Sequence, residues 1–428
     1  MQEKAPPTPA TTASASTGQG DVRQDPLRRA VWALGITQLI TWGTTFYMLG
    51  VLGRPISAAT GWSQSFVFGG MTVGLVVSGL ISTWIGRLVD RHGGRIVMTL
   101  GLLLAAAGLL VIAAASSEWS YLAGWLLLGP AMRMILYDAA FAAVVQVLPS
   151  RGRRAISYLT LFGGLASTVF WPIGHWLDGS IGWRATLMVF AALCLFVALP
   201  LTWWGLERSE PRDQAGAAAA KFDPTGHPDL AHRPLEGGSK VAAVVLFGLV
   251  LAANAFVFGA VSVHLVSILE GSGLAIGVAV GLASLKGVAQ VAGRVWELYF
   301  GQGLSAVTLG RLAIALLPVS LAVLMLTGAS YETALLFTLL LGISQGLVTI
   351  VRGAVPLALF GAEGYGTMLG ILATPQLLMS AVAPFAFAAI VEAFGARSGL
   401  WVLAASAAVS FVAMELTAIW VARARGKA

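Results

Sequence analysis

The chain has 428 residues, of which 57% are apolar and only 11% charged, with a mean hydropathy of +0.83. A soluble globular domain carries roughly 25% charged residues and needs them to cover its surface, so a soluble enzyme or signalling domain is excluded. The formal charge of +7 does not make a nucleic-acid surface, because the arginines sit between apolar runs rather than along one stripe.

Residues 1–30 are rich in Pro, Thr, Ala and Ser, and they lack the apolar core and cleavage site of a signal peptide, so a disordered tail is expected there. A hydrocarbon core about 30 Å thick is crossed by roughly 20 apolar residues in a helix. Runs of that length lie near 31–53, 62–86, 94–115, 119–148, 155–178 and 184–204, and again near 241–269, 274–298, 304–327, 331–358, 365–391 and 398–422. The expected fold is all-α and polytopic, with one six-helix bundle over 31–204 and a second over 241–422. Residues 205–240, with Pro211, Pro224, Pro228 and Pro234 among charged residues, read as a linker, and 423–428 as a short basic tail. Cys194 is the single cysteine, which excludes an intramolecular disulfide and a CxxC metal or redox site.

Lysines and arginines set the orientation, because positive residues near span ends stay on the cytoplasmic side. Arg87, Arg91, Arg95, Arg151, Arg153 and Arg154 crowd the connections on one side, whereas the opposite connections hold Arg54, Arg184 and Arg397. Both termini are therefore expected in the cytoplasm, with the lipid bilayer as the principal partner. Trp119, Trp183 and Trp203, near span ends, suit interfacial belts.

The second run ends in Gly86-Arg87-Leu88-Val89-Asp90-Arg91-His92-Gly93-Gly94-Arg95, and the eighth in Gly293-Arg294-Val295-Trp296-Glu297. Both read G-R-x-x-acid at matching places in their halves. The first stretch resembles the signature loop between the second and third helices of the major facilitator superfamily. The resemblance implies two six-helix bundles, a monomer, and a cytoplasmic gate at Gly86, Asp90, Arg91, Gly94 and Arg95. Asp90 would accept bonds from the start of a neighbouring helix, while Arg91 and Arg95 would hold a carboxylate. Arg294 and Glu297 mark the second copy, whose basic pair is replaced by Leu298 and Tyr299, so an equivalent latch is not expected there. The fifth run, with Gly163, Gly164, Trp171, Pro172 and Gly174, lacks the Gly-Pro-x-x-Gly-Gly pattern of exporters in that family.

Charges at bilayer depth usually face a cavity or a partner. Lys286, Gln290 and Arg294 follow at i, i+4 and i+8 on one face. Arg133 and Tyr137 share a face of the fourth helix, and a continuous helix would turn Asp138 about 140° away from Arg133. Asp138 is then expected to pair between helices, with an arginine of the second-helix loop as one candidate, or to carry a proton. Gln38, Thr41, Trp42 and Thr45 share a face of the first helix, Gln345, Thr349 and Arg352 one of the tenth, and Asn254 and His264 punctuate the seventh. Singly such residues join helices; together they suggest a polar pathway.

In the resembling family the first, fourth, seventh and tenth helices line the cavity, and solutes move by alternating access around a midplane site. No Walker lysine loop occurs, no cofactor or metal motif is present, and no HExxH or Ser-His-Asp spacing points to an enzyme. Family resemblance makes protons the default coupling ion, with Asp138 and His264 as candidate carriers. Arg133 and Lys286 at depth favour a small organic anion as substrate. The stretches Trp42–Tyr47, Thr60–Phe66, Leu136–Phe141 and Gly163–Pro172 are similar to a bacterial, plasma-membrane subgroup that includes monocarboxylate-type carriers and arsenite-efflux permeases. Efflux of a toxic compound such as arsenite or a drug is therefore an alternative, although Cys194 alone cannot build a three-thiolate site for arsenite. A sensor that moves nothing is the remote one.

Overall fold

The computed structural model describes residues 26–206, 233–327 and 330–426. Residues 1–25 of the expected tail and most of the expected linker lie outside the described residues. Among the described residues ten continuous helices are long and apolar enough to cross a membrane, and one of them, Gly152–Gly205, has 54 residues. At 1.5 Å per residue that is about 80 Å, far beyond the bilayer core. It doubles back at Gly182, where φ 78 and ψ 162 are open to glycine. The return is visible against the first helix: Arg29 donates to the Trp204 carbonyl, Thr37 meets Ala198 and Thr202, and Thr44 lies 3.5 Å from Cys194. Two crossings from this segment, and one more from the broken helix at the chain's start, raise ten to twelve.

We number the crossings α1–α12. α1 runs as Pro26–Thr41, a π turn Trp42–Phe46 and Met48–Thr60; α2 is Gln64–His92, α3 Gly94–Ala113, and α4 is split into Glu118–Ile135 and Tyr137–Val147. α5 covers 152–181 and α6 183–205. α7 is Gly237–Gly271, α8 Ile276–Trp296 with a π turn Glu297–Gly301, α9 Ala306–Thr327, α10 Tyr331–Phe360, α11 Tyr365–Phe394 and α12 Ala396–Gly426. α1, α7 and α12 thus reach into stretches expected to be tail or linker, starting at Pro26 and Gly237 and ending at Gly426. Proline is tolerated in the first turn of a helix, and backbone bonding continues past the apolar stretch.

Local chemistry explains the ends. Ser117 and Ser330 form capping boxes at the starts of α4 and α10, with Ser120 and Thr333 reciprocating. α2 ends at Gly93, with φ 84, and Gln146 clamps the turn: its Nε2 donates to the Val89 carbonyl at 3.0 Å and its Oε1 accepts from the Gly94 amide at 2.9 Å. A Cβ on Gly94 would lie 2.1 Å from the Ala143 Cβ, so only glycine lets α3 start against α4. Trp119 and Trp203 are exposed as belt residues are, but Trp183 is buried beneath Arg184.

The two halves approach through α2 and α11, and through α4 and α5 against α8 and α10. Gly79, Ser82, Gly86 and Asp90 form a stripe at i, i+3 and i+4 spacing on α2. It faces Leu378, Gly370 and Gly366 on α11, and a Cβ on Gly86 would lie 2.2 Å from the Gly366 carbonyl oxygen. These contacts lie toward the side of the bundle on which α1 begins and α12 ends, called the terminal side below.

Candidate functional site

α4 is not continuous. Leu136 is extended, with φ −79 and ψ −172, and helix resumes at Tyr137. The Ile135 carbonyl at the break is taken by Gln38 of α1, whose Nε2 donates at 2.7 Å. The break re-aims Asp138 toward Arg133, and Arg133 Nη1 lies 3.3 Å from Asp138 Oδ2. The 140° separation expected of a straight helix therefore does not hold. Asp138 also does not pair with the second-helix loop: its other oxygen lies 3.1 Å from Arg352 Nη2 of α10. One buried carboxylate thus bridges a guanidinium of its own half and one of the other. Arg133 is further held by Ser82 of α2, its Nε donating at 2.5 Å.

A cavity of about 50 Å³ lies here, lined by Trp42, Phe46, Arg133, Leu136, Asp138 and Arg352 among others. A water needs roughly 10–15 Å³ of such volume, so there is room for a few waters and none for an organic solute. Trp42 and Tyr137 pack at 4.8 Å between ring centroids, and Tyr137 stacks on Phe141 at 5.3 Å. The Tyr137 hydroxyl donates to the Thr160 carbonyl at 3.1 Å.

Buried polar atoms without a hydrogen-bond partner occur on several of these helices. They include Gln38 Oε1 and Trp42 Nε1 on α1, Asn254 Nδ2 on α7, Arg294 Nε and Nη1 on α8, Gln345 Oε1 on α10 and Gln376 Oε1 on α11. Native interiors leave few such atoms unpaired, so each is a place where water or a solute can complete the bonding. Gln376 is not among the polar residues expected to line the pathway, and Arg352 is expected there only as part of the polar face of α10. Nothing in the run Met134–Tyr137 announces the break that makes Arg352 the partner of Asp138.

Other expected residues sit elsewhere. Thr45 bonds back to the Thr41 carbonyl of its own helix at 2.6 Å. Lys286 is half-buried and carries no ion pair among the described residues, while Gln290 presents its backbone oxygen to Gly346 across the α8–α10 contact. Arg294 reaches from α8 toward Thr349 at 3.3 Å and lies against Gly164 of α5, where a Cβ would collide with its Nη1. It is 6% exposed, and among the described residues no acid pairs with it. His264 lies off the central path: its Nε2 is 3.1 Å from the Pro384 carbonyl oxygen, and it lines a side cavity of about 660 Å³ with Glu392, Arg397 and Trp401.

On the terminal side, Asp90 of α2 docks on the start of α11. Its Oδ1 accepts from the Gly366 amide at 2.9 Å, and its Oδ2 from the Thr367 amide at 2.7 Å and the Thr367 hydroxyl at 2.6 Å. An anion at a helix N-terminus is favoured by the unpaired amides and the dipole. Arg91 is exposed, and Arg95 lies 3.7 Å from the Trp203 ring centroid, so a cation–π contact occupies the group expected to hold a carboxylate. The second copy is not without a partner: Glu297 faces Arg153 at the start of α5, 3.6 Å from its Nη2. The missing basic pair is replaced by an arginine of the other half, which repeats within one half could not reveal.

Twelve apolar helices in two halves around a buried polar centre define a multi-pass membrane protein of the carrier type. Residues 31–318 match the sequence profile described as Major Facilitator Superfamily, and the chain belongs to that family. An uncharacterised MFS-type transporter, YcxA of Bacillus subtilis (strain 168), is 24% identical over 230 residues, 53% of this chain and 52% of its own length. The chain thus spans about half the length of the curated relative it matches. Among solved structures, the human organic anion transporter MFSD10 (TETRAN) superposes with a TM-score of 0.70 at 20% identity, covering 91% of this chain and 100% of its own. The proton:xylose symporter XylE, bound to 6-bromo-6-deoxy-D-glucose, gives 0.67 at 13% identity, covering 90% and 94%. At these identities the likeness is one of fold.

Proposed function

We propose that the protein is a secondary active transporter that moves a small organic anion by alternating access, with both termini in the cytoplasm of a bacterial-type plasma membrane and protons as the coupling ion. The observation that carries the anion reading is the buried charge between the halves. Arg133 and Arg352 share one acid, Asp138, while Arg294, with no acid partner among the described residues, keeps two N–H groups unbonded. A buried guanidinium is costly without an anion, and its planar fork suits a carboxylate. A solute bound between α8, α10 and α1 would complete those bonds and draw the halves together.

With cytoplasmic termini, the terminal side is the cytoplasmic side and the Asp90 and Glu297 contacts are its closed gate. Arsenite ligation by thiol finds no support, since Cys194 is buried against α1 at Thr44. The test is counterflow in proteoliposomes with labelled monocarboxylates, dicarboxylates, a neutral sugar and arsenite. The expected result is exchange of a carboxylate that Arg294→Gln abolishes while the purified protein stays monodisperse. Exchange of the sugar or arsenite without any carboxylate refutes the anion reading, and exchange of nothing by a folded protein refutes transport.

A further inference from the structure

Two acids are buried among the described residues, Asp138 and Glu297, and Asp90 is half-buried. Their surroundings differ in what a proton would do. Asp90 uses both oxygens to accept three donors, so a proton there displaces a bond. Asp138 holds two guanidiniums, and neutralising it would leave Arg133 and Arg352 facing each other.

Glu297 is otherwise arranged. Its residue is 0% exposed, Oε1 accepts from Gln302 Nε2 at 3.1 Å, and Oε2 has no hydrogen-bond partner. Arg153 stands at 3.6 Å from Oε1, the longest of the buried ion pairs, and is already bonded to carbonyls: Nη1 to Leu304 at 2.6 Å and Nη2 to Gly301 at 3.2 Å. A neutral Glu297 would therefore not strand Arg153. The acid also begins a π turn, a distortion often found at functional sites.

We infer that Glu297 is a proton-binding site that locks the cytoplasmic gate: ionised, it ties α8 to Arg153 of α5; protonated on Oε2, it lets the two halves part there. This rests on the transporter reading for its purpose, but not for its test. The groups facing Glu297 are Arg153 and Ser157 from α5 and Gln302, which follows its own π turn. Arg294, one turn back on α8, is directed to Thr349, and Arg154 lies over Tyr158 at the exposed edge. The sign follows from the ion pair. The closed gate favours the ionised acid, so protons favour the open one, with a slope of at most about tenfold per pH unit for a single site.

The experiment uses the full chain in nanodiscs without substrate, in a Cys194→Ser background, with spin labels at the exposed positions Arg154 on α5 and Tyr299 on the π turn. Dipolar distance distributions are recorded across pH. The wild-type gate should pass from a short to a long population as pH falls, and Glu297→Gln should give the long population at every pH. Gln302→Leu, which removes the bond that Oε1 accepts, should move the midpoint to higher pH, and it keeps the test open if Glu297→Gln does not fold. A wild-type distribution that ignores pH, a Glu297→Gln variant that retains the wild-type response, or a Gln302→Leu midpoint that does not move overturns the inference. Failure of anion exchange in the wild type with an intact gate response refutes the substrate reading alone.

Discussion

Replacing Asp138 by Asn should destabilise the protein far more than replacing either of its arginine partners. At 3.1 and 3.3 Å, each pair is worth about 5 kcal/mol of Coulomb energy at an effective dielectric of 20, before desolvation is counted. Asp138→Asn removes both attractions and leaves two buried cations side by side, a situation that typically costs about 3–5 kcal/mol. Arg352→Gln leaves Arg133 and Asp138 as a balanced pair, also supported by Ser82, so the loss should be about 1.5–3 kcal/mol, the range of a hydrogen bond to a charged group. The double variant Asp138→Asn/Arg352→Gln removes one of the two uncompensated cations and should recover about half of what Asp138→Asn loses, giving a coupling energy of about 3–5 kcal/mol, at or above the upper end of the range for interacting neighbours. Thermal unfolding of the purified protein in one detergent reads all three. Equal destabilisation by Arg352→Gln and Asp138→Asn, or strict additivity in the double variant, would show that the carboxylate does not bridge the halves.

Two further changes test the packing. Gly86→Ala places a methyl group 2.2 Å from a backbone oxygen of α11, which cannot rotate away, so α2 and α11 must separate; cysteines introduced along α2 should become reactive to a membrane-impermeant maleimide added from the terminal side. Gln38→Leu removes the donor to the Ile135 carbonyl at the α4 break and should cost about 1–3 kcal/mol, seen as a lower unfolding temperature that Asn at position 38, too short to reach, does not restore.

Arg95 and Trp203 show how a residue type can be legible while its partner is not. A basic residue after the α2–α3 turn was evident, yet its guanidinium lies on an aromatic ring of α6 and not on a carboxylate. His264 shows the same limit, since a polar residue in α7 reads alike whether it faces the centre or the side cavity where it lies.

What the sequence by itself determined was the solvent and the architecture. Lipid demands runs of apolar residues long enough to cross it and satisfies no backbone group, so helix and span count are written in local hydropathy. The exceptions were the helix broken at Trp42–Phe46 and the reversal at Gly182, which continuous-helix length alone miscounts. Only the tertiary structure decided the partners. One extended residue, Leu136, turned Asp138 toward Arg133 and Arg352, and an arginine 144 positions away in sequence supplied Glu297 with the cation its own half lacks. Ion pairs between halves depend on backbone direction and on approach distances set by Gly86, Gly366 and Gly370, quantities that no local pattern of residue types encodes.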